Sequence, residues 1–400
     1  MKKAFIGVVP LFIFVLLFSY SIFVRPNSSE SEQLQNFPAL RWHTFLDGSF
    51  QAQFEQALKD QISIHEPAVR TTVRTQAFLR KAYNGAQGFT GSFDNRQSLT
   101  PWGAVYRMND TDWLTGFPYR WDEQTAAGYL QKAAEINRFA QDNPDVKFYV
   151  YYCSRAEDMH WFDLAEQTQS FSYSRLLEQS LESNIGFDKM KFPDFSEYTQ
   201  LMYKTDHHWN NMGARKGYSD LLRLISADFP LGPSCPIAYT QDFGGLKWCG
   251  SRARESALTV QDEGRDDFVA DRYLLGEYRA FFGEKEMAIG LEEAYDAGEI
   301  NRDPSFDQYL NYFGFESQPI RLEFPGGQYN LLIVGDSFAR AVRKPLASHF
   351  STTVFVNFRI LDQINLQQML EEYDIDAVLF MGQQDAWSGY FLEKAQGDVS

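Results

Sequence analysis

The chain has 400 residues, enough for one large domain or two modest ones, and its 44% hydrophobic and 22% charged content is that of a globular protein. A formal net charge of −16, with no basic stripe anywhere, excludes nucleic acid as a partner. Aromatic residues reach 16%, a share that fits either an aromatic core or a surface that stacks on sugar rings.

Lys2 and Lys3 precede an uncharged apolar run of 21 residues, Ala4 to Val24. At about 1.5 Å per residue such a run spans a hydrocarbon core, and it exceeds the apolar stretch of an ordinary cleaved signal. No Ala-x-Ala site follows it. Residues 1–25 are therefore expected to form an uncleaved transmembrane anchor, with the lysines on the cytoplasmic side and the rest of the chain outside the membrane. Residues 26–94 follow as a polar tether and an arm. In that arm Phe54, Leu58 and Ile62, then Val69, Val73 and Ala77, keep helical spacing on either side of Pro67.

The main domain is placed at residues 95–400. A helix is predicted over 121–142, capped by Asp122 and stopped by Asn143-Pro144, with a strand at 146–152 behind it. Helices are predicted over 171–184 and 212–227. The segment from about 230 to 325 shows no strong alternation of strand and helix, and it reads as an insertion outside the core sheet. From 329 the rhythm returns: a strand at 331–334, a helix to about His349, a strand at 353–356, a helix over 361–372 and a strand at 377–381. Continuous apolar strands alternating with helices indicate an α/β fold, a parallel sheet with flanking helices. Ligands of such sheets bind at the carboxyl ends of the strands, where Ser337, Arg359 and Gln384 fall.

Three cysteines are present, Cys153, Cys235 and Cys249. An extracytoplasmic location permits disulfides, and Cys235 and Cys249 bracket a glycine-containing loop, which makes them a disulfide candidate; two unpaired thiols are the other reading. Cys153 follows an apolar strand and reads as a core thiol.

The chemistry concentrates in two segments. Thr205-Asp206-His207-His208-Trp209-Asn210 supplies an acid and imidazoles, and Val334-Gly335-Asp336-Ser337-Phe338 supplies a hydroxyl at a strand-to-helix turn. Asp206 and His208 lie two residues apart, which on an extended segment puts both side chains on one side. Asp206 would orient His208, and His208 would take the proton of Ser337. A surface pair without a role and a metal site on Asp206, His207 and His208 use the same residues, although adjacent side chains diverge on a strand. His207 is expected to point away. The helix start at Ser337 offers free N–H groups to an oxyanion, and a Gly-Asp-Ser turn is equally a plain helix cap.

Asp206-His207-His208-Trp209 together with Gly335-Asp336-Ser337-Phe338 resembles the DHHW-motif family and the related alginate O-acetyltransferase-like proteins, over roughly residues 95–225 and 325–390. The resemblance implies an SGNH-hydrolase-like domain, in a circularly permuted order with Asp-x-His before Ser. It implies a membrane-anchored O-acetyltransferase acting on a cell-envelope or exported polysaccharide through an acyl-serine, supplied by a membrane O-acyltransferase. In this pattern Gln384 stands where such enzymes carry an oxyanion-binding Asn, and Arg359 stands where a family arginine binds substrate. No cofactor or metal is called for. A carbohydrate esterase with the same triad, and a non-catalytic glycan-binding scaffold, are the alternatives.

Overall fold

The computed structural model describes residues 93–388, apart from 101–102, 109–111, 117–118, 120, 160–171, 257–263, 288–301, 303, 305 and 315. The expected anchor, tether and helical arm lie outside the described residues, apart from the start of the first strand. No helix among the described residues is long and apolar enough to cross a membrane.

The fold begins with an antiparallel meander, β1 (Phe93–Thr100), β2 (Gly103–Met108) and β3 (Leu114–Gly116). Helix α1 (Glu123–Asp142) follows, and the Asp122 carboxylate accepts from the Thr125 N–H at 2.7 Å, which is the cap its sequence foretells. Then come β4 (Lys147–Tyr152), α2 (Tyr173–Ser180), β5 (Gly186–Lys189), α3 (Phe195–Leu201) and α4 (Asn211–Ile225). The middle segment holds β6 (Ile237–Gln241), β7 (Lys247–Trp248), α5 (Ser251–Ser256), β8 (Asp266–Asp267), β9 (Ala270–Tyr273), β10 (Arg279–Phe282), β11 (Lys285–Glu286), α6 (Gln308–Phe313) and β12 (Ile320–Glu323). The chain closes with β13 (Asn330–Gly335), α7 (Arg343–Ala347), β14 (Thr352–Asn357), α8 (Leu366–Glu372), β15 (Ala377–Gly382) and α9 (Gln384–Ser388).

One eight-stranded sheet organises these elements, in the order β11-β10-β12-β14-β13-β15-β4-β5. The strands from β14 to β5 are parallel, and the β12 side is antiparallel. Strand periodicity sends Tyr149, Tyr151, Leu331, Ile333, Leu379 and Met381 into a core with α4 and α7. It sends Phe148, Val150, Leu332, Val334, Val378 and Phe380 into a second core with α1, α8 and α9. Both faces are covered, as continuous apolar strands require.

Two sequence expectations need correction. The segment 230–325 is not wholly outside the sheet: β10, β11 and β12 extend it as an antiparallel edge. These strands have four residues or fewer, and the edge strands alternate or expose their side chains, so they lack the apolar run that marks a central strand. The remainder, with β6–β9 and α6, does form its own aromatic cluster around Trp248, Phe268 and Tyr312. The disulfide is absent: Cys153, Cys235 and Cys249 are all free. Cys249 packs beside Val105, Leu114 and Ala253, whereas Cys235 lies against the core of α4 and β9, with its thiol 3.4 Å from the Leu274 carbonyl.

Candidate active site

Ser337 stands one residue past β13, at the start of a 3-10 turn, Ser337–Ala341, rather than of one continuous helix to His349. Asp336 caps this turn: its carboxylate accepts from the Phe338 N–H at 2.9 Å and from the Gln383 N–H at 2.8 Å. That second bond ties the turn after β13 to the turn after β15. Gly382 makes this approach feasible, because a Cβ there would sit 2.9 Å from the Asp336 Oδ2.

The Asp-His-His-Trp segment is a closed loop between α3 and α4. Met202 and Trp209 bridge across its neck, and the Tyr203 N–H donates to the His208 carbonyl at 3.1 Å. Trp209 is fully buried against Phe338, with ring centroids 5.3 Å apart. Asn210 caps α4 through the N–H groups of Met212 and Gly213. The loop is not extended as expected. Asp206 Oδ1 accepts from the backbone N–H of His208 at 2.9 Å, a local turn that short acidic side chains readily close.

That turn brings the acid onto the imidazole. His208 Nδ1 lies 2.6 Å from Asp206 Oδ1, and His208 Nε2 lies 2.6 Å from Ser337 Oγ. The acid and the imidazole are buried, and Ser337 is partly exposed. Burial alone would raise the Asp206 carboxyl; the His208 and His207 rings and the hydrogen bond from His208 outweigh it, so the group is held well below the usual carboxylate range. Burial, aided by His208, pushes His207 well below its usual value, so its ring is neutral. His207 does not point away: its ring lies 3.9 Å from that of His208, and its Nδ1 is 2.8 Å from Ser251 Oγ. Asp206, His207 and His208 offer ligand atoms within 4.8 Å of one another, but Asp206 Oδ1, Asp206 Oδ2 and His207 Nδ1 are each already engaged in hydrogen bonds.

Several residues without a motif complete the site. The Ser251 N–H donates to Asp206 Oδ2 at 2.6 Å, and Gly250 lies so close that a Cβ would come within 2.6 Å of the Asp206 Cα. Thr205 and Lys204 hang on Asp266, whose carboxylate accepts both of their N–H groups, at 2.9 and 2.6 Å. Helix α5 is pinned at both flanks by ion pairs, Arg252 with Glu157, which is buried, and Arg254 with the partly exposed Asp307, each at 2.6 Å. Asp307 in turn caps α6, which delivers Tyr309. The Tyr309 ring stacks on His208, 3.9 Å between centroids and 10° from parallel, and its hydroxyl donates to the Ser337 carbonyl at 3.2 Å. Burial raises the Tyr309 hydroxyl well above its usual value, so it remains a donor.

Asp206, His208 and Ser337 are thus brought together; Arg359 and Gln384 do not join the cluster in the same way. Arg359 follows β14 with its side chain exposed and its N–H on the Asn357 carboxamide at 3.0 Å. Gln384 opens α9 partly buried, and no hydrogen bond links its side chain to Ser337.

The fold is found in solved proteins. A DHHW family protein from Eubacterium siraeum shares the fold. It is 16% identical, with a TM-score of 0.55 over 73% of this chain and 94% of that one. PatB1 from Bacillus cereus matches at 20% identity and a TM-score of 0.56, over 71% of this chain and 98% of that one. The same protein with a sulfonyl adduct matches at 18% identity and the same TM-score, over 72% and 95%. The resemblance read from the tetrapeptide motif is therefore matched at the level of the fold. No family profile and no curated protein sequence matches the chain.

Proposed function

We propose that this chain is an acyl-transfer enzyme that carries an acetyl group on Ser337 to a hydroxyl of a cell-envelope or exported polysaccharide. The observation that carries the reading is His208, which lies 2.6 Å from both Asp206 and Ser337. With Nδ1–H donated to Asp206, Nε2 is left as acceptor for the Ser337 hydroxyl proton. As Oγ bonds to the acyl carbon, the proton passes to Nε2, and the buried Asp206 carboxylate stabilises the imidazolium. The Ser337 N–H, which has no internal partner among the described residues, supports the transient oxyanion. Collapse releases the donor's leaving group with the proton from Nε2. An acceptor hydroxyl then gives its proton to Nε2, attacks the acyl-serine and leaves as an ester, which regenerates Ser337.

The order Asp206, His208, Ser337 is on this reading a circularly permuted version of an SGNH-type site. Gln384 is proposed as a second oxyanion donor and Arg359 as an acceptor contact, each engaged once substrate is bound. The apolar run at 4–24 serves as a single-pass anchor that leaves the catalytic domain outside the membrane, beside a membrane O-acyltransferase as acetyl source. An esterase differs only in using water at the second step. The direct test is acetyl release from p-nitrophenyl acetate by the full chain. Ser337→Ala should lower the rate about a hundredfold or more with folding intact. Equal rates in the two proteins would sink the acyl-serine. Transfer to a polysaccharide in the presence of water then separates transferase from esterase.

A further inference from the structure

The turn that carries Ser337 is tied to a buried carboxylate. Glu316, fully buried in the chain between α6 and β12, accepts from Arg340 Nε at 3.0 Å, from Arg343 Nη1, and from Asn357 Nδ2 at 3.3 Å. Arg340 belongs to the 3-10 turn Ser337–Ala341, Arg343 opens α7, and Asn357 closes β14 opposite Gly335 of β13. Arg343 Nη2 also donates to the carbonyl of Phe313, the last residue of α6, at 2.7 Å. One carboxylate thus joins the serine turn, the helix that delivers Tyr309 and the end of the neighbouring strand.

A 3-10 turn has three residues per turn, so the side chains of Ser337 and Arg340 leave it on the same face. Such turns have poor hydrogen-bond geometry and need support from outside. Here the backbone bonds run from the Ala339 N–H to the Asp336 carbonyl and from the Val342 N–H to the Ala339 carbonyl, both at 3.1 Å. The Phe338 ring anchors the turn against Trp209 and His208, with centroids 5.3 and 5.1 Å away. Arg340 supplies a second anchor through Glu316.

Packing alone does not account for an arginine at this position. Arg340 is 2% exposed, and its Nη2 is buried with no hydrogen-bond partner among the described residues. A buried donor left without an acceptor is unfavourable, and an apolar side chain of similar length would avoid it. Nor does Glu316 depend on Arg340 for its charge, because Arg343 already forms an ion pair with it. What Arg340 adds is a directed bond from the serine turn to a fixed carboxylate. Its charge also reaches the Tyr309 hydroxyl, where it works against the rise caused by burial, and that hydroxyl donates to the Ser337 carbonyl at 3.2 Å.

We propose that Arg340 is a positioning residue: bonded to Glu316, it fixes the serine turn and so sets Ser337 Oγ at its 2.6 Å distance from His208 Nε2. Its effect on rate rests on the acyl-serine reading, whereas its effect on the turn rests on geometry alone. Misplacing a reacting atom by about 1 Å costs on the order of a hundredfold in rate, so a loosened turn is expected to act on kcat.

The test compares the full chain with its Arg340→Met, Arg340→Lys and Arg340→Gln variants in p-nitrophenyl acetate hydrolysis, urea unfolding and hydrogen exchange read by mass spectrometry. Arg340→Met leaves Glu316 paired with Arg343, so its urea midpoint should stay within about 0.5 M of the wild type. Its kcat should fall about ten- to a hundredfold with KM within about twofold. Arg340 makes one bond to Glu316 and not a fork, so Arg340→Lys should recover kcat to within about threefold of the wild type. In Arg340→Met the amides of Phe338, Ala339 and Val342 should exchange about tenfold faster, and those of β4 at the wild-type rate. Arg340→Gln, which keeps a donor, takes the place of the Met variant if that one does not fold; unfolding of both makes Arg340 a requirement of the whole fold and overturns the assignment. A folded variant with wild-type kcat and wild-type exchange in the turn overturns it too, as does exchange quickened equally in β4. If the wild type releases no acetyl, the acyl-serine reading fails, and exchange in the turn by itself upholds or overturns the anchor.

Discussion

The two hydrogen bonds of His208, both 2.6 Å, make its tautomer the property on which chemistry at Ser337 depends. Only a carboxylate at 206 accepts from Nδ1 while also accepting from the backbone N–H of His208 and from Ser251. Asp206→Asn puts an amide in that position and favours the wrong tautomer. The expected result is a fall in kcat of about 10³–10⁴-fold in the aryl acetate assay, with folding retained. Ser251→Ala is a contrast at the same place, because the acid is held by the Ser251 backbone N–H and only His207 uses its hydroxyl. Its loss should stay below about tenfold. Tyr309 acts by position in two ways, through its ring on His208 and its hydroxyl on the Ser337 carbonyl. Tyr309→Phe should cost about five- to tenfold in kcat, the worth of one hydrogen bond, and Tyr309→Ala should cost distinctly more because the stack is lost too. Equal losses in Phe and Ala variants would refute a separate role for the ring.

At the scale of elements, the site joins three stretches of chain: the loop between α3 and α4, the turn after β13, and the pair α5 and α6. The first two were legible. The motif residues are rare types in close spacing, and β13, β14, β15 and β4 are apolar runs that read as buried parallel strands. The third was not, because its contributions are made through backbone and shape. Gly250 and Ser251 serve Asp206 through the absence of a Cβ and through an N–H, and neither leaves a trace in composition or periodicity. Tyr309 sits on a six-residue helix, too short for a periodic stripe. The disulfide expected between Cys235 and Cys249 failed for a related reason, since spacing along the chain carries no information about which cluster each thiol joins. The cost of this hidden support is measurable. Gly250→Ala drives a methyl into the Asp206 backbone, which cannot yield without moving the acid. The variant should lose roughly 1–3 kcal/mol in urea unfolding and most of its activity together. An Ala variant that stays active and stable would show that Gly250 does not support the acid.

At the scale of the molecule, Asp206 and Lys344 are buried groups whose folded values both lie below the usual ones, so each adds stability as pH rises, in a different window. Asp206 is compensated and stays ionised through the acidic range, so it contributes stability that is lost only as pH falls through its depressed folded value. For Lys344 the cause is burial, with Arg272 beside it. Its folded value is about 7, whereas an unfolded lysine titrates near 10.4. Between those values the unfolded chain holds a proton that the folded protein has released, so stability rises with pH across that window. Lys344 shares a cavity with Asp271, which Arg215 holds, Arg272, Tyr273, Tyr278 and Tyr312. Burial moves Tyr273 further above its usual value, out of the window. From pH 7 to pH 9 the wild type should therefore gain about 2 kcal/mol on Lys344→Met, as read by urea unfolding of the full chain at a series of pH values. A difference that stays flat across the series would place the Lys344 ammonium in a solvated or ion-paired setting.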